Sequence, residues 1–161
     1  MSAFAAVLAR RSGRWRAAEV DLDECESVED IADVVRDFVG DVRLALIEQD
    51  DEYAAIVRVD ADDDEPRAFL SDGHAADAYP LAAAVAEDLV EIGEDELDGD
   101  EDAPPAHDSA PFGDADIVDD LGTGASDLLA MCSHEGTLPM DVLVAVCEKA
   151  GCADEFDDLR A

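Results

Sequence analysis

Cys132, His134, Cys147 and Cys152 are, by type, the residues best suited to hold a metal. Zinc takes four thiolate or imidazole ligands in a tetrahedron. The spacings here are C-x-H and C-x₄-C, neither the tight C-x₂-C knuckle, and Cys147 lies within an apolar helical run. Ordinary core packing is therefore the expected role, since free cysteine packs as a small hydrophobe. A zinc nucleobase deaminase needs H-x-E followed by P-C-x-x-C, where His and Cys hold the metal and Glu moves protons. His134 is followed directly by Glu135, no C-x-x-C occurs, and neither His74 nor His107 has a Glu two residues on. Asp98, Asp100 and Asp102 match the opening ligand positions of an EF-hand loop, but Ala103 stands where that loop requires Gly and Ser109 where it requires Glu. G-x-S-x-G, P-loop and G-x-G-x-x-G signatures are missing, and Gly122-Thr123-Gly124 is too short to specify a phosphate cradle. The three histidines have no evident triad partners. No catalytic residue, metal or cofactor is expected.

The basic residues carry a different signal. Arg10, Arg11, Arg14 and Arg16 cluster around Ser12-Gly13, and residues 1–18 contain no acid. Trp15 lies among them. One reading is a solvated surface that pairs with the protein's own acids; the other is a contact point for RNA phosphate or for an acidic partner surface.

The elements that would position these residues follow from hydrophobic period. Residues 2–11 and 14–20 alternate as strands around a Ser-Gly turn. Val42–Asp60, VRLALIEQDDEYAAIVRVD, forms a second, central hairpin around Gln49-Asp50-Asp51-Glu52. Between them Ser27 is placed to cap a helix whose stripe is Val28, Ile31, Val35, Phe38 and Val39, with Gly40 ending it. Arg67–Leu70 supplies a fifth strand, Ser71 caps a helical turn to Ala78, and Pro80 opens a helix over 81–90. Past an acidic, proline-containing stretch the apolar pattern returns. Ile117, Val118 and Leu121 make a turn ended by Gly122, Ser126–Cys132 and Pro139–Ala150 are helical, Gly151 stops the second, and Glu155–Leu159 adds a last turn.

The order ββαβββα predicts an α+β fold: a single antiparallel sheet of about five strands with helices on one face, plus a small C-terminal helical hairpin. The expected organisation is a sheet domain over 1–92, a flexible acidic linker over 93–111, and a helical segment over 112–161 that docks on the sheet or on a partner. Ala45, Ile47, Ala54 and Ile56 are taken as a second sheet face, apolar enough to need covering by a partner.

Composition bounds the class of partner. Acids outnumber bases 44 to 10, for a formal net charge of −34. Such a chain repels nucleic acid and anionic membranes, so strong unaided RNA binding is not expected. No signal peptide opens the chain and no apolar run is long enough to span a membrane, so a cytoplasmic location with reduced cysteines is expected.

The segments LALIEQDDEYAAIVRVD (44–60), RAFLSD (67–72), FGDADIVDDLG (112–122) and LPMDVLVAVCEKAGCADEF (138–156) resemble the bacterial family of tRNA adenosine deaminase-associated proteins. The resemblance covers nearly all of the chain except the acidic linker. It implies a genomic association with the enzyme that converts adenosine to inosine in tRNA anticodons. It brings no catalytic residues with it.

The leading expectation is thus a non-enzymatic accessory protein that binds a protein partner, with tRNA adenosine deaminase foremost. Its contact residues are expected among Arg10, Arg11, Arg14, Trp15, Arg16, Ala45, Ile47, Ala54 and Ile56. The alternatives are a homodimeric structural module joined through that sheet face, and an acidic nucleic-acid mimic that occupies the basic surface of a tRNA-binding enzyme. An enzyme of unrecognised type ranks last.

Overall fold

A computed structural model describes residues 4–22, 24–61, 65–73, 75–86, 111–133 and 136–160. Six strands form one antiparallel sheet: β1 (Phe4–Arg11), β2 (Arg14–Glu19), β3 (Val42–Gln49), β4 (Tyr53–Arg58), β5 (Arg67–Leu70) and β6 (Phe112–Gly113). They lie in the order β2-β1-β3-β4-β5-β6. Five are the strands legible in the hydrophobic pattern; β6 is a two-residue addition at the far edge, where Phe112 pairs with Leu70. The β3–β4 turn places both Asp50 (φ 55) and Asp51 (φ 59) in the left-handed region, and the Glu52 amide donates to the Gln49 carbonyl at 2.9 Å. This is the primed geometry that matches strand twist, with Asp tolerating the positive φ.

One face of the sheet carries α1 (Val28–Arg36), α2 (Ala75–Ala78) and α3, described over 80–86. Ala45, Ile47, Tyr53, Ala55 and Val57 pack there against Ile31, Val35, Leu81 and Val85. Ser27 caps α1 as expected, its Oγ accepting from the Asp30 amide at 3.2 Å. The helix nevertheless stops at Arg36, and Val39 is left 69% exposed. Gly40 does not end the helix in a left-handed conformation. It lets the following loop cross β1, where a Cβ would meet the Arg10 carbonyl oxygen at 2.9 Å. Ser71 also differs from expectation: its Oγ accepts from the Ala54 amide at 2.8 Å, tying β5 to β4 instead of capping α2.

The other face is covered by the C-terminal residues. A 3₁₀ turn (Asp119–Leu121), α4 (Ala125–Ser133), α5 (Pro139–Ala150) and α6 (Ala153–Arg160) bring Ile117, Leu128, Leu143, Val146 and Phe156 onto Leu8, Leu44, Leu46, Ile56 and Phe69. Gly122 (φ 111) and Gly151 (φ 91) end the 3₁₀ turn and α5, as their spacing predicts. Helices therefore lie on both faces: those of the first 86 residues on one and the C-terminal set on the other. The acidic linker expected over 93–111 falls almost wholly outside the described residues, as do the extension of α3 toward residue 90 and the calcium-like Asp98–Asp102 run.

Candidate interaction surface at the arginine hairpin

The turn between β1 and β2 is built from Ser12 (φ 53) and Gly13 (φ 78), again a primed turn. Register places Arg10 opposite Trp15, Arg11 opposite Arg14, and Ala9 opposite Arg16. Directly opposed residues share a face. Arg10 and Trp15 thus fall on the side of the C-terminal helices, and Arg11, Arg14 and Arg16 on the side of α1.

The two sides differ chemically. Arg10 stacks 5.7 Å from the Trp15 ring centroid, a cation–π contact. The Trp15 indole N–H donates to the Ala150 carbonyl oxygen at 3.2 Å, clasping the end of α5. Trp15 is therefore a packing residue. Arg11, Arg14 and Arg16 are exposed, and none makes an ion pair with another described residue.

The four apolar residues of the expected contact set lie elsewhere. Register pairs Ile47 with Ala55 and Leu46 with Ile56, so Ala45 and Ile47 face α1 while Ala54 and Ile56 face the C-terminal helices. They do not share a face, because the tight turn sets Gln49 opposite Tyr53 and thereby reverses the expected pairing of alternate sides. All four are buried by the chain's own helices. A partner reaches none of them in this fold.

A second group of cations lies outside the arginine hairpin and belongs to no motif of the sequence. Arg58 is 3% exposed at the inward end of β4. It forks onto Asp120, with Nη1–Oδ1 at 2.6 Å and Nη2–Oδ2 at 2.9 Å. It also donates through Nε to Asp60 at 2.8 Å and through Nη1 to the Ile117 carbonyl at 2.7 Å. Arg67 binds Asp114 and Asp116. Together they clamp the 114–120 turn to β4 and β5. The guanidinium hydrogen bonds hold the Asp120 and Asp114 carboxyls below the usual carboxylate range and push Arg58 up. Asp116 moves the other way, raised by its hydrogen bond with Asp114. Arg43 serves as a C-terminal cap for α1, reaching the Arg36 and Phe38 carbonyls through Nη1 and Val59 through Nε. The signal was present: Arg58 shares an otherwise apolar face with Ala54 and Ile56, and a cation there needs a carboxylate.

The cysteines are free. Cys147 and Cys152 are buried in the core under the C-terminal helices, and burial pushes the Cys132 thiol up to about 11. His134 lies outside the described residues, and among the described residues no group of three or more His, Cys, Asp or Glu is gathered for a metal. Among those residues no helix is long and apolar enough to cross a membrane.

Residues 3–153 match the family described as Rv3753c-like tRNA adenosine deaminase-associated protein. The chain belongs to that family. No curated protein and no solved structure matches it.

Proposed function

We propose that this family member is a non-catalytic accessory of tRNA adenosine deaminase, acting by binding the enzyme rather than by chemistry of its own. The observation that carries this reading is the family match over residues 3–153, whose description names that enzyme. The charge supports it. A tRNA-binding enzyme presents a basic surface to phosphate, and a chain of net charge −34 is drawn to such a surface and repelled by the tRNA itself. The expected result is saturable, micromolar association of the purified deaminase with this protein, measured by calorimetry with and without tRNA. Absence of binding in both conditions overturns the proposal.

The same charge favours a second reading, in which the protein mimics nucleic acid and occupies the enzyme's tRNA site. Competition with tRNA and steep weakening by salt are then expected; tRNA that binds alongside this protein excludes mimicry. The accessory reading is favoured over a homodimer through the apolar sheet face because Ala45, Ile47, Ala54 and Ile56 are buried within the chain.

A further inference from the structure

We propose that the outer edge of β2 accepts an extended acidic segment of a partner polypeptide as an additional strand. The inference stands on the geometry of the edge, whichever protein supplies the segment. β2 is the terminal strand of the sheet, and among the described residues no strand lies on its outer side. The Val20 amide donates to the Ala5 carbonyl at 2.9 Å, which makes Ala5–Val20 a hydrogen-bonded pair. Hydrogen-bonded and non-hydrogen-bonded pairs alternate along an antiparallel ladder. Ala18, Arg16 and Arg14 therefore turn their amides toward β1, and Trp15, Ala17 and Glu19 turn theirs outward. This outward row is the template that strand addition uses.

Charge selects the incoming chain. Arg14 and Arg16 stand about 7 Å apart on one side of the strand, the spacing of alternate residues in a neighbouring strand. Arg11, directly opposite Arg14 on β1, adds a third cation on the same face. Acidic side chains at every second position of an added strand would meet these cations. Gly40 packs against the Arg10 backbone of β1, and exposed Val39 precedes it in the chain. The Asp41 amide donates to the Arg10 carbonyl at 2.7 Å, tying the start of β3 to β1. Nucleic acid is the weaker fit. Trp15 is held by Ala150 and Arg10 and offers no ring for base stacking. Arginine on a short edge strand also discourages self-association, and a guard of that kind would leave the edge empty.

The test titrates isotope-labelled full-length protein with a short peptide alternating Glu and Val, its Lys-for-Glu counterpart, and a uridine-rich RNA oligomer. The expected result is saturable shifts and slowed exchange at the Trp15, Ala17 and Glu19 amides with the acidic peptide alone. Arg14→Glu/Arg16→Glu should weaken binding about tenfold or more, as loss of a charge-assisted bond requires. Ala17→Pro removes an outward donor without touching the β1 ladder and should abolish the slowed exchange. If that variant fails to fold, the exchange of Trp15 and Glu19 in the wild-type complex decides instead. The proposal is overturned if the acidic peptide leaves these amides unchanged, if the Lys peptide or the RNA binds as well, or if a folded Ala17→Pro variant binds undiminished.

Discussion

Arg58 and Arg14 are the same side chain in opposite circumstances. Arg58 is buried at the end of β4 with its donors spent on Asp120, Asp60 and the Ile117 carbonyl. Arg14 stands at the tip of a hairpin with no ionic partner among the described residues. Among the described residues, which still carry many acids, Arg14 is left without a carboxylate partner. The comparison teaches that position in the sheet decides what a cation does. At an inward strand position it must be satisfied and becomes a structural clamp; at a free edge it is available to a partner.

The sharpest way to break the comparison is Arg58→Met. It leaves the Ile117 carbonyl without its donor and frees the 114–120 turn. A loss of about 2–3 kcal/mol in urea unfolding is expected, below the cost of stranding a buried charge because Asp120 is largely exposed. Arg58→Lys should recover only part of it, since an ammonium cannot fork. Acid titration sharpens the same point. The Asp120 carboxyl lies below its unfolded value near 3.9, so its contribution is fully present above about pH 5 and is lost as pH falls through the depressed folded value. The stability gap between wild type and Asp120→Asn should therefore close as pH drops below about 4. Asp120 is the better probe, because Asp114 and Asp116 shift in opposite directions.

Trp15 tests the boundary between the two regions. Trp15→Phe keeps the ring beneath Arg10 and removes the bond to Ala150, for an expected loss of about 1 kcal/mol by thermal denaturation. The smallest effects belong to the hairpin. Arg11→Gln, Arg14→Gln and Arg16→Gln should each change stability by no more than about 0.5 kcal/mol. A larger loss at any of them would show that the tip is structural. Salt separates the regions once more. Overall stability should rise with added NaCl as the self-repulsion of net charge −34 is screened, while the cost of Arg58→Met should fall only modestly, since the guanidinium is buried although Asp120 is largely exposed.

Much of the scaffold was legible because local chemistry and fold agree. The alternation over 42–60, the Ser27 cap, Pro139 at the start of α5 and Gly151 at its end all act as their types suggest. What was not legible depended on contacts distant in sequence. Phe38 and Val39 continue the helical stripe of α1, yet Gly40 is needed against the Arg10 backbone and the chain leaves the helix early to reach it. Ser71 has the type of a helix cap but bonds a neighbouring strand. The four apolar residues assigned to a partner-facing side were split between two cores by a turn whose type the sequence left open, and the helices that bury them lie on both sides of that turn. The arginine hairpin was found because its evidence is local: four cations and no acid within 18 residues.

Every residue of β4 is buried, with helices on each side. Amphipathic strands resist sliding because a one-step shift exposes apolar side chains and submerges polar ones. The run Tyr53-Ala54-Ala55-Ile56-Val57 meets no such penalty, since either orientation finds a greasy surface. Alignment of this strand with β3 must then come from its ends: the paired aspartates of the turn on one side and the anchored guanidinium of Arg58 on the other. Loosening both at once would give the ribbon freedom to settle out of step, trading one native packing for several near-equivalent ones.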